Sequence, residues 1–375
     1  MRPQPTPLAA ILADRIQSSG PITFAEYMEA CLYYPLRGYY AKADQDPRRD
    51  YFTNVDVGPL FGRLLARQFR EMWQQLGRPS AFWLIECGAG TGALAKHILD
   101  FAGESFDDFY SGLHYVSVEQ SEPRRAAQAG LLAVRAANGH FASSCEFPRE
   151  VPCGCVFSNE LLDAMPAHRV VRERAALREI YVAFGKSGFR ETTGPLSTPR
   201  LSEYFAEQGI ELQEGQQAEV CLAACDWIVE VGQRLGRGFV MTIDYGREAR
   251  ELYNERHMRG TFLAYKRHRT DEDVFDAPGD QDLTAHVNFT ALDLWGRRSG
   301  LLRTTLTTQT DFLLSIAQDS NYADLQKENL TEAEQARSRL LFKTLINPEG
   351  MGETFQVLIQ HKGVKLPSNA GLKLK

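Results

Sequence analysis

The chain has 375 residues with 42 Lys and Arg against 48 Asp and Glu, which gives a formal net charge of -6 at pH 7. This length is sufficient for a large core and more than one lobe, and the acidic balance without a long basic block argues against nucleic acid as the main partner. No apolar run approaches the roughly 18 residues that a membrane-spanning helix needs, so we expect a soluble protein with no membrane span.

Cysteine usage and the N-terminus predict a cytoplasmic bacterial protein. The chain has seven cysteines, an odd number in a chain too long to be a disulfide scaffold, and reduced thiols fit a cytosol-like compartment. The first residues lack a secretory signal and have few basic residues for a mitochondrial presequence, so the mitochondrial matrix is the less favoured alternative. No set of His, Cys, Asp or Glu has metal-ligand spacing, and we expect no metal.

Residues 8–76 are predicted to be mostly helical and to precede the sheet. Thr23 with Glu26 three residues later forms a capping box, and apolar residues recur at helical spacing from Gly58 to Leu76. The segment Tyr39–Thr53 between these helices has aromatic residues at both ends and a polar centre. We interpret it as a lid over a ligand. The alternative is that its aromatic residues only fix the N-terminal helices to the sheet.

A glycine-rich turn follows the first predicted strand of the sheet, Phe82–Glu86. Gly88, Gly90 and Gly92 stand at alternate positions before a helix-like apolar pattern, and glycine lets a ligand approach the bare backbone. The usual dinucleotide fingerprint is G-x-G-x-x-G. Here the third glycine comes one residue earlier, which favours S-adenosylmethionine over NAD. Taken alone, the pattern is also compatible with an ordinary turn between a strand and a helix.

Three further apolar runs also end in polar residues. They are Leu113–Glu119, Cys155–Glu160 and Gly238–Gly246, of which the last contains Asp244. Parallel strands bring their carboxyl ends to one edge, where open α/β sheets bind ligands. We therefore predict a mostly parallel α/β sheet, in which Glu119 accepts hydrogen bonds from ribose hydroxyls. The alternative for Glu119 is a solvated strand end.

The predicted domains alternate between a core and insertions. Residues 1–80 form an N-terminal helical cap and lid. Residues 81–167, 216–246 and 291–362 form the core, which includes a helix over Gln216–Leu235 and a last strand over Phe355–Gln360. Residues 168–215, with strands at Val170–Arg172 and Glu179–Phe184, and residues 247–290 are insertions that form a substrate-binding lobe.

The segment Asp282–Phe289 alternates polar and apolar residues, which predicts one strand. Its polar face consists of Asp282, Thr284, His286 and Asn288. This face can line an acceptor cleft, where His286 can take a proton because its ordinary pKa is near 6.5. A surface strand with a solvated polar face is the alternative. His268 is a weaker candidate of the same kind.

Several motifs occur in a characteristic order along the chain. They are Tyr39-Tyr40, Asp50-Tyr51-Phe52-Thr53, Phe61-Gly62, Glu86 with Gly88, Gly90, Gly92 and Leu94, Asn159-Glu160-Leu161-Leu162-Asp163-Ala164 with Pro166, Asp244-Tyr245-Gly246, Gly260-Thr261, and Asp282-Leu283-Thr284-Ala285-His286-Val287. In this order they resemble the MidA family of S-adenosylmethionine-dependent methyltransferases, over roughly residues 20–360. The chain is also similar to the mitochondrial arginine methyltransferases that assist assembly of respiratory complex I.

The resemblance implies an α/β, Rossmann-like class I methyltransferase with an N-terminal helical cap and insertions. It implies S-adenosylmethionine as cofactor and a protein side chain as substrate, with an arginine of a respiratory complex subunit favoured. The predicted cofactor-binding residues are Glu86, Gly88, Gly90, Gly92, Glu119 and Thr53. The predicted catalytic residues are Asn159, Glu160, Asp163 and His286.

An arginine acceptor would pair with a carboxylate in a fork geometry, and Glu160 is the candidate for this role. Asp163 is predicted on a helix that follows Glu160. It either lies on the same side as Glu160 and shares its role, or is a first-turn acid that interacts favourably with the helix dipole. The better-known arginine methyltransferases use two glutamates of one loop, whereas Glu173 is the only acid near residue 170 here. The second carboxylate is therefore Asp163, Glu173 or absent.

Other functions compatible with the sequence are a cofactor-binding assembly factor for complex I-like enzymes with little turnover, a small-molecule methyltransferase and a nicotinamide oxidoreductase. The position of the third glycine argues against the last of these. The sequence does not indicate the oligomeric state.

Overall fold

The structure is a computed structural model that describes residues 6–42, 54, 58–266, 269–271, 273–319, 331–347 and 351–365. The described residues form two compact units. The sheet unit lies within Phe52–Leu161, Ile228–Tyr245 and Gly296–Lys375, and the insertion unit lies within Met1–Tyr51, Leu162–Trp227 and Gly246–Trp295.

The strands in chain order are β1 (Ile22–Thr23), β2 (Phe82–Cys87), β3 (Leu113–Val118), β4 (Phe141–Ser144), β5 (Val151–Asn159), β6 (His168–Glu173), β7 (Ala176–Gly185), β8 (Gly188–Gly194), β9 (Gln217–Val220), β10 (Leu235–Arg247), β11 (Leu263–Lys266), β12 (Arg269–Asp271), β13 (Asp282–Thr284), β14 (Val287–Asn288), β15 (Leu302–Thr308) and β16 (Phe355–Lys362). The α-helices are α1 (Pro7–Ser19), α2 (Phe24–Tyr33), α3 (Pro59–Gln75), α4 (Ala93–Ser105), α5 (Asp107–Tyr110), α6 (Glu122–Leu131), α7 (Ala133–Ala137), α8 (Arg200–Gln208), α9 (Leu222–Arg234), α10 (Ala249–Leu252), α11 (Phe289–Arg297), α12 (Gln309–Asp319), α13 (Glu332–Ile346) and α14 (Met351–Thr354). A 3-10 turn occupies Tyr39–Ala41.

The sheet unit contains one mixed sheet in the order β15-β16-β10-β5-β2-β3-β4. The pairs from β10 to β4 are parallel, whereas β16 is antiparallel to both of its neighbours. The predicted strands are confirmed, and so is the α/β fold with a mostly parallel sheet. The chain leaves β2 towards β3 on one side and returns to β5 on the other, so the carboxyl end of β2 is a topological switch point where such sheets bind ligands.

Apolar residues at helical spacing explain how helices cover this sheet. Helix α3 buries one face that includes Leu65 and Phe69, and the Phe69 ring lies 4.9 Å from the ring of Phe157 on β5. Both aromatic side chains are fully buried, and each such burial contributes roughly 1.5–3 kcal/mol. The amphipathic pattern of α3 therefore fixes which of its faces meets the sheet.

The insertion unit has two smaller sheets. One has the order β1-β7-β6-β9 with β8 paired to β7, and the other has the order β12-β11-β13. The predicted strands around residues 170–172 and 179–184 are confirmed, as is the capping box of Thr23 and Glu26 at the start of α2. The core of this unit includes the fully buried Tyr27 and Tyr39.

Two local predictions are wrong. Gln216–Leu235 is not one helix, because Gln217–Val220 pairs with β6 before α9 begins at Leu222. The segment Asp282–Phe289 is not one strand: β13 pairs with β11, β14 pairs with β10, and Phe289 begins α11. Of its four polar residues, Asp282 and Asn288 are buried and Thr284 and His286 are half-buried, so the alternative of a fully solvated polar face does not hold.

The compact units also differ from the predicted domains in their boundaries. Helix α3, predicted within the N-terminal cap, belongs to the sheet unit, whereas residues 216–227 and 291–295 belong to the insertion unit. Among the helices that the structure describes, none has both the length and the apolar character required to cross a bilayer.

Candidate functional site

The glycine turn after β2 has one open position and two packed ones. Gly88, Gly90 and Gly92 have φ values of 75°, 53° and 83°, a region that L-residues rarely adopt. A Cβ atom at Gly88 would meet the Leu161 side chain at 2.9 Å, and one at Gly92 would meet Gln128 at 3.0 Å. Among the residues that the structure describes, a Cβ atom at Gly90 would meet nothing within 4 Å. The backbone at Gly90 is therefore the part of the turn that a ligand can approach.

Glu119 follows the end of β3 and holds this turn. Its Oε2 accepts a hydrogen bond from the Gly90 N–H at 2.9 Å, and its Oε1 accepts one from the Ser121 N–H at 2.9 Å. The side chain is buried beside the turn. A carboxylate has about four lone-pair sites, so Glu119 can accept ligand hydroxyls in addition to these two backbone donors.

Glu86 lies in β2 and is almost fully buried. The pKa of Glu86 is raised from 4.5 to about 8, mainly by burial, with the hydrogen bond from Tyr115 acting to lower it and the charge of Glu119 acting to raise it. The Tyr115 hydroxyl donates to Glu86 Oε2 at 2.6 Å. At neutral pH the protonated form of Glu86 is therefore favoured, which sequence reasoning did not predict.

Asn159 ends β5, and Glu160 follows it with a left-handed φ of 54°. Glu160 Oε1 accepts hydrogen bonds from the Asn54 N–H at 3.0 Å and from the Asn159 side chain at 2.9 Å. A left-handed backbone is unfavourable for a residue with a Cβ atom and is often found at functional sites. The carboxylate of Glu160 is thus held in place by two donors at the carboxyl end of a central strand.

The side-chain amides of Asn54 and Gln309 form a buried pair that holds Asn54 in place. Asn54 Nδ2 donates to Gln309 Oε1 at 2.9 Å, and Gln309 Nε2 donates to Asn54 Oδ1 at 2.9 Å. Asn54 Nδ2 also donates to Asn159 Oδ1 at 3.2 Å. Asn54 and Gln309 are fully buried. Neither residue was identified from the sequence, because a single Asn and a single Gln far apart in the chain form no motif.

Asp244 in β10 fixes the backbone after Glu160. Its Oδ2 accepts a hydrogen bond from the Leu161 N–H at 3.1 Å, and its Oδ1 accepts one from the Tyr245 N–H at 2.9 Å. The Glu160 N–H donates to the Ile243 carbonyl at 3.0 Å. Neighbouring strands thus set the direction in which the chain leaves the sheet after Glu160.

Comparison with known proteins gives the family. A family model described as an S-adenosyl-L-methionine-dependent methyltransferase matches residues 64–307. A solved structure from Burkholderia thailandensis with bound S-adenosyl-homocysteine has a TM-score of 0.84 and 30% sequence identity, and the match covers 97% of this chain and 96% of that one. The chain belongs to the S-adenosylmethionine-dependent methyltransferases.

Two curated relatives have a more specific name. The rat protein named "Protein arginine methyltransferase NDUFAF7, mitochondrial" is 29% identical over 98% of this chain and 87% of its own length. The human protein of the same name is 29% identical over 95% of this chain and 84% of its own length. The predicted family and cofactor, S-adenosylmethionine, are confirmed.

The turn of this methyltransferase fits its cofactor. S-Adenosylmethionine has an amino-acid part, a ribose and an adenine, and the open face at Gly90 leaves its backbone accessible to such a ligand. Glu119 is placed beside that opening with acceptor capacity for hydroxyl groups. Among the residues that the structure describes, no group of three or more His, Cys, Asp or Glu side chains is arranged to hold a metal.

Asp163 differs from its prediction in local structure. Residues 160–167 form bends and a turn rather than a helix, so Asp163 is not a first-turn acid of a helix. It is buried in the insertion unit, where its backbone carbonyl accepts a hydrogen bond from the Ala285 N–H at 3.0 Å. Glu160 belongs to the sheet unit. The structure therefore assigns the two predicted catalytic acids to different units.

His286 also belongs to the insertion unit. The pKa of His286 is lowered from 6.5 to about 4, mainly by burial and also by the nearby His257 and Arg247. Its Nδ1 atom is buried without a hydrogen-bond partner among the described residues. At neutral pH the ring is neutral, and its low pKa makes it a weak proton acceptor.

The remaining predicted sites involve the lid segment and His268. Thr53 and His268 lie outside the described residues, as does most of the lid segment Tyr39–Thr53. At the start of that segment Tyr39 is fully buried, and the Tyr40 hydroxyl donates to Asp282 Oδ2 at 2.9 Å. Tyr39 thus belongs to the core of the insertion unit, and the partly buried Tyr40 packs against that core. The lid stays a prediction.

Proposed function

We propose that this methyltransferase methylates an arginine side chain of a protein, with a subunit of a respiratory complex I-like enzyme as the candidate substrate. The proposal is supported by relatives named protein arginine methyltransferase, whose matches span 95–98% of this chain. The observation that carries it is the Glu160 carboxylate, which two donors hold at the carboxyl end of the central strand β5.

The cofactor-binding part of the proposal uses the turn after β2. Bound S-adenosylmethionine supplies a methyl group on a positively charged sulfonium. The open backbone at Gly90 would contact the cofactor, and Glu119 would accept hydrogen bonds from its ribose hydroxyls. Gly88 and Gly92 contribute by packing against Leu161 and Gln128, which keeps the turn tight.

Glu160 would bind and orient the guanidinium of the acceptor. A carboxylate and a guanidinium form charge-assisted hydrogen bonds of fixed geometry, which set the plane of the acceptor. Arginine has a pKa above about 12, so the nitrogen that gains a methyl must lose a proton to a nearby base. Glu160 can receive that proton, while the Asn54 N–H and the Asn159 amide keep its carboxylate in position.

In this proposal Glu160 holds the guanidinium without a second carboxylate. Glu173 lies in the hairpin of β6 and β7, where its Oε2 accepts a hydrogen bond from the Thr193 hydroxyl at 3.1 Å. This contact gives Glu173 a local structural role in the hairpin. Roles in catalysis for Asp163 and His286 stay predictions, as does a bacterial cytoplasmic location.

The test is transfer of radiolabelled methyl groups from S-adenosylmethionine to proteins of a cell extract, followed by mass spectrometry of the labelled band. We expect methylarginine, loss of turnover in Glu160→Gln with S-adenosylmethionine affinity retained, and wild-type turnover in the matched control Glu173→Gln. Label found only in small molecules, or a Glu160→Gln variant that works at the wild-type rate, would contradict the proposal. Cofactor binding without transfer to any partner would favour the assembly-factor alternative.

A further inference from the structure

Gln128 in α6 connects three segments of the sheet unit around the glycine turn. It is fully buried, and its Nε2 donates to the Gly90 carbonyl at 2.7 Å. Its Oε1 accepts hydrogen bonds from the Ser117 hydroxyl at 2.6 Å and from the Ser143 hydroxyl at 2.6 Å. One side chain thus links β3, β4 and the turn that follows β2.

The partners of Gln128 determine the orientation of its amide group. The Gly90 carbonyl can only accept a hydrogen bond, so the NH2 group of the amide must face it. The amide oxygen then faces the two serines, whose hydroxyl groups can both donate to it. A flipped amide would place two acceptors against each other at Gly90. The network therefore allows one arrangement, in which Gln128 acts as a donor to the turn.

Gly90 is consequently held from both sides. Its N–H donates to Glu119, and its carbonyl accepts from Gln128. The stem of Gln128 also packs below the turn, because a Cβ atom at Gly92 would lie 3.0 Å from Gln128 Cγ. We infer that Gln128 is a positioning residue that fixes the glycine turn in the shape that binds S-adenosylmethionine. This inference rests on the proposed binding of the cofactor at Gly90.

The decisive variant is Gln128→Glu in the full-length protein. Burial raises the pKa of a carboxyl group, as it does for Glu86, so binding is measured at pH 9, where the ionised form is favoured. The ionised carboxylate still accepts from Ser117 and Ser143, but it cannot donate to the Gly90 carbonyl and repels it. We expect the Kd for S-adenosylmethionine, measured by calorimetry, to rise by about tenfold, since a hydrogen bond to the turn is lost and a repulsion is added. Gln213→Glu adds the same charge at an exposed position and is the matched control; its Kd should stay at the wild-type value.

Two further variants separate positioning of the turn from general stability. Gln128→Met removes the donor without adding charge and should also raise the Kd, by about fivefold. Ser143→Ala keeps the donor to Gly90 and should change the Kd less than twofold. A residue that only packed α6 would lower the thermal unfolding midpoint in all three variants and leave the Kd, measured well below that midpoint, unchanged.

Gly90→Val distinguishes the failure of this inference from the failure of the proposed cofactor site. If Gly90→Val abolishes binding while Gln128→Glu and Gln128→Met bind with the wild-type Kd, the positioning role is wrong and the site stands. If Gly90→Val itself binds normally in a folded protein, the cofactor lies elsewhere and both are overturned. Weak binding by both Gln128 variants, with normal binding by Gln213→Glu, supports the inference.

Discussion

Replacement of Glu86 by Gln should make the protein more stable at alkaline pH than the wild type. The folded protein raises the pKa of Glu86 from 4.5 to about 8 through burial, partly offset by the hydrogen bond from Tyr115. Gln is neutral at every pH and can still accept the hydrogen bond from the Tyr115 hydroxyl. The substitution therefore removes the titration of residue 86 and preserves its shape and its contact.

The sign and size of the effect follow from proton linkage. A raised folded-state pKa means that the folded protein retains a proton that the unfolded chain releases, so the stabilising contribution is complete below pH 4.5 and decreases until pH 8. Integration between pH 5.5 and 8.5 gives a loss of about 3 kcal/mol in the free energy of unfolding for the wild type. The Gln variant lacks this loss.

The assay is denaturant unfolding of both proteins at pH 5.5, 7 and 8.5, analysed as the difference between variant and wild type. Titrating groups that do not interact with residue 86 cancel in that difference, which should move by about 3 kcal/mol in favour of Glu86→Gln as the pH rises. Glu119→Gln, which removes the charge that raises the pKa of Glu86, should shift the transition to lower pH. A difference that is constant across the three pH values would show that Glu86 ionises normally, and the reasoning from its burial would be refuted.

Three other outcomes are expected. Glu119→Ala should weaken the binding of S-adenosylmethionine by roughly 1.5–3 kcal/mol, measured by calorimetry, because charge-assisted hydrogen bonds to the cofactor are lost. An unchanged Kd would exclude Glu119 from the site. Gln309→Leu should lower kcat and leave the cofactor Kd unchanged, since it removes the amide pair that anchors Asn54 beside Glu160. A loss of cofactor affinity as large as the loss of kcat would argue against this role. In NMR the His286 ring should titrate near pH 4, and His286→Gln should not alter the pH profile of turnover between pH 6 and 8.

The sequence by itself determined the parallel sheet and the position of the glycine turn. A buried strand needs a short apolar run, and a tight turn that leaves the backbone open needs glycine, so both are encoded in adjacent residues. Gly90 and Glu119 could be proposed as candidate site residues because each is part of such a local pattern. The parallel pairing of β2 and β3 then places Glu119 beside the turn.

Local sequence patterns did not predict the secondary structure where it depended on which strand pairs with which. Polar and apolar residues alternate through Asp282–Phe289, but alternation does not specify a partner, and the chain pairs first with β11 and then with β10. Gln217–Val220 is a strand because β6 supplies hydrogen-bond partners. A helix after Glu160 was expected from the sequence, whereas residues 160–167 form bends and a turn.

Only the tertiary structure decided how the candidate residues are held. Asn54 and Gln309 are 255 positions apart in the chain and form a pair only because folding buries them together. From the sequence alone Glu86 would be counted as a negative charge. Its protonated state is favoured in the fold because burial in the core removes water from the carboxyl group. The positioning role inferred for Gln128 depends on its hydrogen bonds to β3, to β4 and to the glycine turn. Such effects depend on distance and burial, which a sequence pattern does not contain.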